Sequence, residues 1–183
     1  GSSKTIKEIS DIFETNDDPN LWTYSYDVKT NSIIPAKIKF AKKTRLNAKL
    51  VKVTLDNGKY IISTPDHGFV LTGGETCEAQ NLKSGTSLQA MYKQFKKIGH
   101  NANEYEQVYQ PNINMWVWTH KMVDEYFYGK IVNNGINESG KFIRSDLVVV
   151  HHKDFNRYNN SPDNLQRLKF HEHGNIHRNN MYK

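Results

Sequence analysis

Five of the chain's eight histidines fall between His151 and His177, at spacings that could bring several imidazoles to one point. The apolar run Val148-Val149-Val150 reads as a buried strand carrying His151 and His152 to its far end. Successive strand residues point to opposite faces, so the two imidazoles have different tasks. A dense turn cluster, Asn156, Asn159, Asn160, Ser161 and Pro162, reverses the chain. Asp163 or Asn164 then opens a second short strand, Leu165 to Leu168, and from about Phe170 the pattern turns helical. His173 and His177, four residues apart, stack on one face of that helix. The expected unit is strand, loop, strand, helix.

Neutral imidazole is the commonest nitrogen ligand for a divalent cation, and His173 with His177 can share one ion with His151 brought in from the strand. His152, pointing elsewhere, would then take a proton from water. Asn164 cannot titrate, but its amide can bond backbone or imidazole and hold the base in one orientation. A structural zinc site is the competing reading. A three-histidine site with an open position is more often catalytic, and a structural site would normally use cysteine, whereas the single Cys77 is far away in the chain. His171 projects from another face, as a phosphate contact or a merely exposed residue.

His151-His152, Asn164 twelve residues on, His173 nine further and His177 four further still, followed by Arg178, together resemble the HNH (ββα-metal) nuclease motif. Val-His-His-Lys-Asp-Phe-Asn with Asn-Asn-Ser-Pro-Asp-Asn-Leu is similar to HNH homing endonucleases in particular. The resemblance implies that His152 is the general base, Asn164 the central asparagine, and His151 and His173 metal ligands. His177 matches a third ligand found in colicin-type nucleases. The implied cofactor is one divalent ion, Mg²⁺ first, with Mn²⁺ or Zn²⁺ as alternatives, and the implied partner is double-stranded DNA. Arg157, Arg167, Lys169 and Arg178 are the candidate phosphate contacts.

Composition agrees with a polyanionic partner without demanding one. Lys and Arg number 25 against 19 acids, a net charge of +6. The mean hydropathy of -0.75 and the lack of any long apolar run argue against a membrane role. One cysteine excludes an internal disulfide and fits a reducing, intracellular (cytoplasmic) setting of phage or bacterial type. Gly1-Ser2-Ser3 resembles an expression remnant.

The elements ahead of the motif follow in order. Ile6, Ile9, Ile12 and Phe13 suggest a helical turn or two, and Leu21 to Tyr26 alternates as a strand. Between Val28 and Lys52 lie eight cations and no acid; this is read as a strand with one basic face, with ordinary solvation and DNA-backbone contact equally open. Leu50–Leu55 and Lys59–Ser63 flank Asp56-Asn57-Gly58, a hairpin signal, since Asn-Gly supplies the positive φ angles of a tight turn. Thr64-Pro-Asp-His67, the Gly73-Gly74 turn and the run on to Leu88 follow. Residues 54–88 resemble the Hint fold of inteins and hedgehog-type autoprocessing domains. By that resemblance Thr64 and His67 form the block that polarises a scissile peptide bond for an acyl shift. An intein nucleophile at the start and a terminal asparagine at the end are not matched, so the chain alone is not expected to splice, and complementary intein fragments become possible partners. Further on, Thr119 is a plausible N-cap of a helix with Met122, Val123, Tyr126 and Phe127 on one face, His120 is read as packing or a DNA-backbone contact, and His100 as exposed.

The expected fold class is α+β: a partial β-rich Hint (intein-like) domain at 4–91, a linker at 92–110 and an HNH ββα-metal nuclease domain at 111–183. The expected activity is that of a homing endonuclease hydrolysing DNA phosphodiesters. A fragment acting in protein splicing, and a DNA-binding module with a structural metal, are the alternatives.

Overall fold

A computed structural model of the chain describes residues 4–98, 103–132 and 135–180; Gly1–Ser3 and His100 lie outside the described residues. The architecture is α+β, with short antiparallel sheets and, among the described residues, three α-helices. No helix among them is long and apolar enough to cross a membrane.

Helix α1, Ile6–Thr15, is longer than the expected turn or two because its start is doubly capped. The Thr5 hydroxyl accepts from the Glu8 N–H at 3.2 Å, and the Glu8 carboxylate reaches back to the Thr5 N–H. Strands β1 (Trp22–Asp27) and β2 (Ser32–Lys37) form a hairpin. Beyond Lys37 the basic stretch has no helix or strand as far as Leu50, so the strand with one basic face expected between Val28 and Lys52 is broken. Strands β3 (Val51–Thr54) and β4 (Tyr60–Ser63) pair around Gly58, whose φ of +77° is the left-handed value the turn needs. Strands β5 (Gly68–Val70) and β6 (Thr76–Glu78) close the next hairpin over the two glycines.

Residues 93–98 and 103–110 are strands within the stretch expected to be a linker. These two, β7 (Lys93–Ile98) and β8 (Asn103–Gln110), join β9 (Met115–Trp118) in a three-stranded sheet. The stretch reads as loop because most of its buried residues are polar: Glu106, Gln107 and Gln110 surround the single buried apolar residue described there, Val108. Each of the three polar residues has a partner from another segment. Tyr24 Oη and Lys93 Nζ donate to Glu106, each at 2.9 Å, and Gln94 donates to Gln107. The Gln110 amide bonds both the N–H and the C=O of Ile33, at 2.9 Å each.

That last clamp also ties together segments that the expected partition set apart. The β1–β2 hairpin, assigned to the first domain, packs on β8 and on helix α2 (Thr119–Tyr128) of the later unit. Trp22 meets Phe127 edge-on at 5.2 Å. Of the buried apolar residues, Ile33, Val108, Val123 and Leu165 lie where these elements meet strand β11 (Leu165–Lys169), while Phe69 and Ala79 are buried around the β5–β6 hairpin.

Helix α2 turns a different face inward from the one hydrophobicity selects. Thr119, His120, Val123 and Asp124 are buried, whereas Tyr126 and Phe127 are exposed. Trp118 occupies the N-cap position, and Thr119, the first helical residue, buries a hydroxyl that has no hydrogen-bond partner among the described residues. Asp124 is tolerated inside because Arg167 neutralises it at 2.7 Å.

Candidate metal centre

Strand β10, Val148–His152, starts after a 3-10 turn at Arg144–Asp146 and pairs with β11, setting His151 opposite Gln166 and His152 opposite Leu165. Helix α3, Phe170–Asn180, follows β11 directly. Its entry is fixed by the Phe170 N–H donating to the Leu147 carbonyl at 2.8 Å and by the Glu172 carboxylate accepting from the Lys169 N–H. The helix therefore lies against β10 with His173 and His177 toward the strand.

The first face of β10 gathers three imidazoles. His151 lies 5.2 Å from both His173 and His177, centroid to centroid, and those two are 4.4 Å apart. One nitrogen of each ring falls within 4.8 Å of the others, a spread that one ion can span. Phe155 closes a side of the cluster, edge-on to His151 at 5.3 Å and to His177 at 5.1 Å. Its φ of +60° is a costly left-handed conformation for a bulky residue, of the kind that functional sites retain. Burial, reinforced by the neighbouring histidines, lowers His151 to about 4, and burial also lowers His173. Low values keep the rings neutral, as ligation requires.

The second face carries His152 into a separate buried pocket. Its Nε2 lies 3.0 Å from Asn160 Oδ1, and its ring packs against His120 at 5.5 Å and Tyr105 at 6.4 Å. Burial, ahead of the other nearby groups, holds both histidines below the ordinary imidazole value, His120 at about 3. His120 is thus a packing residue.

Asn164 stands in the connecting loop and, among the described residues, makes no hydrogen bond to an imidazole. Its Nδ2 donates to Asp154 Oδ1 and to the Asn159 carbonyl, both at 2.8 Å, and its Oδ1 accepts from the Asp154 N–H at 3.0 Å. It fastens the loop, while the side chain that meets His152 is Asn160. Asn160 and Asp154 escape sequence reading because an Asn-rich reversal has the same composition whether it is a turn or a built loop, and Tyr105 because it arrives from the distant strand β8.

The four phosphate-contact candidates separate. Arg178 is exposed on α3, and Lys169 is exposed although it reaches Asp146 at 3.2 Å. Arg157 stacks over Tyr105, 5.6 Å from the ring centre. Arg167 is withdrawn from the set: its guanidinium donates to buried Asp124 and to the carbonyls of Tyr128 and Gly129.

Thr64 and His67 occupy the turn between β4 and β5, on sheets separate from the histidine cluster. The His67 N–H donates to the Thr64 carbonyl at 3.1 Å, and the exposed imidazole meets Phe69 edge-on. Asp66 between them accepts from the Thr64 side chain and from Arg45, and these two donors hold its carboxyl at about 2. Cys77 lies half-buried opposite Phe69 in the β5–β6 register.

Comparisons with known proteins give a family match and a curated relative. The family model described as Intein splicing domain matches residues 1–180. The B subunit of DNA gyrase from Synechocystis sp. (strain ATCC 27184 / PCC 6803 / Kazusa) is 39% identical over 155 residues, which is 83% of this chain and 14% of that protein. The chain therefore spans about one-seventh of the length of this curated relative. No solved structure matches.

Proposed function

This chain belongs to the intein splicing domain family, and from that premise we propose that it serves protein splicing through the turn bearing Thr64 and His67. The reading is supported by an exposed imidazole and a hydroxyl held three residues apart on a turn that the Arg45–Asp66 pair braces at 2.7 Å. His67 would donate to the scissile carbonyl or amide, and Thr64 would hold that peptide bond in place. The nucleophile and the terminal asparagine would come from other intein segments. The test is to supply those segments as separate chains fused to two reporters. Ligated product is expected, with His67→Ala slowing its formation by ~100-fold or more, as for loss of a general acid or base. No ligation in any combination would remove this reading.

The three-imidazole cluster favours a second activity in the same chain: hydrolysis of double-stranded DNA as an HNH homing endonuclease. His151, His173 and His177 would hold one divalent ion, leaving a coordination position open. Three nitrogen donors, with no carboxylate in the cluster among the described residues, suit Zn²⁺ or a neighbouring transition ion better than the oxygen-seeking Mg²⁺. Bound there, the ion would supply Lewis-acid stabilisation to a leaving 3′ oxygen. His152 would take the proton from the attacking water, Asn164 would keep the loop in shape, and Arg157, Lys169 and Arg178 would meet phosphates. A supercoiled plasmid incubated with Mg²⁺, Mn²⁺ or Zn²⁺ tests this. Chelator-sensitive nicking that His152→Ala reduces ~100- to 10,000-fold is expected. Nicking that survives in His152→Ala contradicts the assigned base, and DNA binding without cutting under any ion favours a structural metal in a binding module.

A further inference from the structure

We propose that Asn160 is a positioning residue for His152, holding the imidazole in the Nε2–H tautomer so that Nδ1 is the atom left to accept a proton. The inference rests on the nuclease reading of His152. It starts from a contact of 3.0 Å between His152 Nε2 and Asn160 Oδ1, both residues being more than nine-tenths buried. A carboxamide oxygen only accepts, so Nε2 must carry the hydrogen and Nδ1 keeps its lone pair. The reversed amide would donate its N–H to Nε2, occupy that lone pair and place the ring hydrogen on Nδ1, leaving no base.

What decides between the two orientations lies one residue further on. The Asn160 amide sits beside the Tyr24 hydroxyl in the cleft that the β1–β2 hairpin forms with the motif loop. Tyr24 donates its only hydrogen to Glu106 Oε1 at 2.9 Å, and Lys93 Nζ donates to the other carboxylate oxygen, Oε2, at 2.9 Å. The hydroxyl can therefore offer Asn160 only lone pairs, which turns the NH₂ end of the amide toward Tyr24 and the oxygen toward His152. Nδ2 is buried there and closes no well-aligned hydrogen bond among the described residues, so the amide's firm contact is the one through its oxygen. Donor and acceptor roles thus run in one direction, Lys93 and Tyr24 to Glu106 and His152 to Asn160, with the NH₂ end of Asn160 facing the Tyr24 hydroxyl but closing no well-aligned hydrogen bond to it. A strand near the N-terminus sets which ring nitrogen of His152 is basic.

The test uses the full chain with ¹⁵N-labelled histidine, in mildly alkaline buffer where the imidazole is neutral. The His152 ring signals are expected to report the Nε2–H tautomer, and Asn160→Ala to convert them to a mixture. In plasmid nicking, Asn160→Ala is expected to lower kcat ~10- to 100-fold, the usual effect of losing an orienting partner, with KM and ion affinity unchanged. Asn160→Asp retains the accepting oxygen and is expected to restore both the tautomer and most of the rate. An Nδ1–H tautomer in the unsubstituted chain overturns the proposal. So does Asn160→Ala nicking at the full rate while His152→Ala is inactive. If the unsubstituted chain cuts no DNA with any ion, the nuclease reading fails by itself. The ring spectra then decide alone: Nε2–H lost in Asn160→Ala sustains the positioning role, and a tautomer unchanged by that substitution ends it.

Discussion

His151→Ala is expected to abolish divalent-ion binding and, with it, all plasmid nicking. His151 is buried at the strand end and equidistant, at 5.2 Å, from the two helix histidines, so its removal leaves only an i, i+4 pair on a solvent-facing helix. Loss of a direct ligand should exceed the ~10- to 100-fold that an outer partner costs. Calorimetric titration with Zn²⁺, or the visible spectrum of a Co²⁺ adduct, reads the affinity. The same titration carries a pH signature. Burial lowers His151 to about 4 and lowers His173 as well, so the neutral, ligating forms persist as pH falls through ~6.5, the ordinary imidazole value. Ion release belongs below that point. In the ion-free chain the sign is that of a depressed histidine. The unfolded state takes up protons first, so stability is intact above ~6.5 and is lost as pH drops toward the folded values of His151 and His120. Ion affinity unaffected by His151→Ala, or release already complete at neutral pH, would refute the three-histidine site.

Arg167→Met carries the second large effect. It strands the Asp124 carboxylate, 2% exposed, with no counter-charge and leaves the carbonyls of Tyr128 and Gly129 without their donor at the end of α2. Breaking a buried pair from one side costs about 3–5 kcal/mol. For a chain of this size that corresponds to roughly 10 °C in thermal midpoint. The double variant Asp124→Leu/Arg167→Met should recover most of the loss, because an apolar pair of similar volume removes the stranded charge. If Arg167→Met leaves the thermal midpoint alone but weakens DNA affinity, then Arg167 is a phosphate contact and the inward assignment is wrong.

The strand, loop, strand and helix from Val148 to Asn180 are legible in sequence because each boundary has a local cause. An apolar run, a turn cluster and an i, i+4 pair need no distant partner to be recognised. The convergence of His151, His173 and His177 is legible for the same reason. Glu106, Gln107 and Gln110 are not, since their burial depends on Tyr24, Lys93, Gln94 and Ile33 arriving from elsewhere. Arg167 reads as a surface cation until Asp124, 43 residues earlier, is seen to face it. Asn160 hides likewise in a string of asparagines, whereas His120, read as packing or a DNA-backbone contact, is buried against Tyr105 and His152. Hydrophobic periodicity finds where apolar side chains go, and here much of the interior is polar and paired over long distances.

The Gln110 clamp on Ile33 spans 77 positions in the chain. During synthesis the first hairpin emerges well before the strand that receives it, so its inner surface stays wet until residue 110 has left the ribosome. Closing so long a loop costs entropy before any contact repays it, which makes docking of the first two strands a late step in folding. A nascent chain stalled ahead of β8 should accordingly show β3–β4 formed and Ile33 still open to solvent.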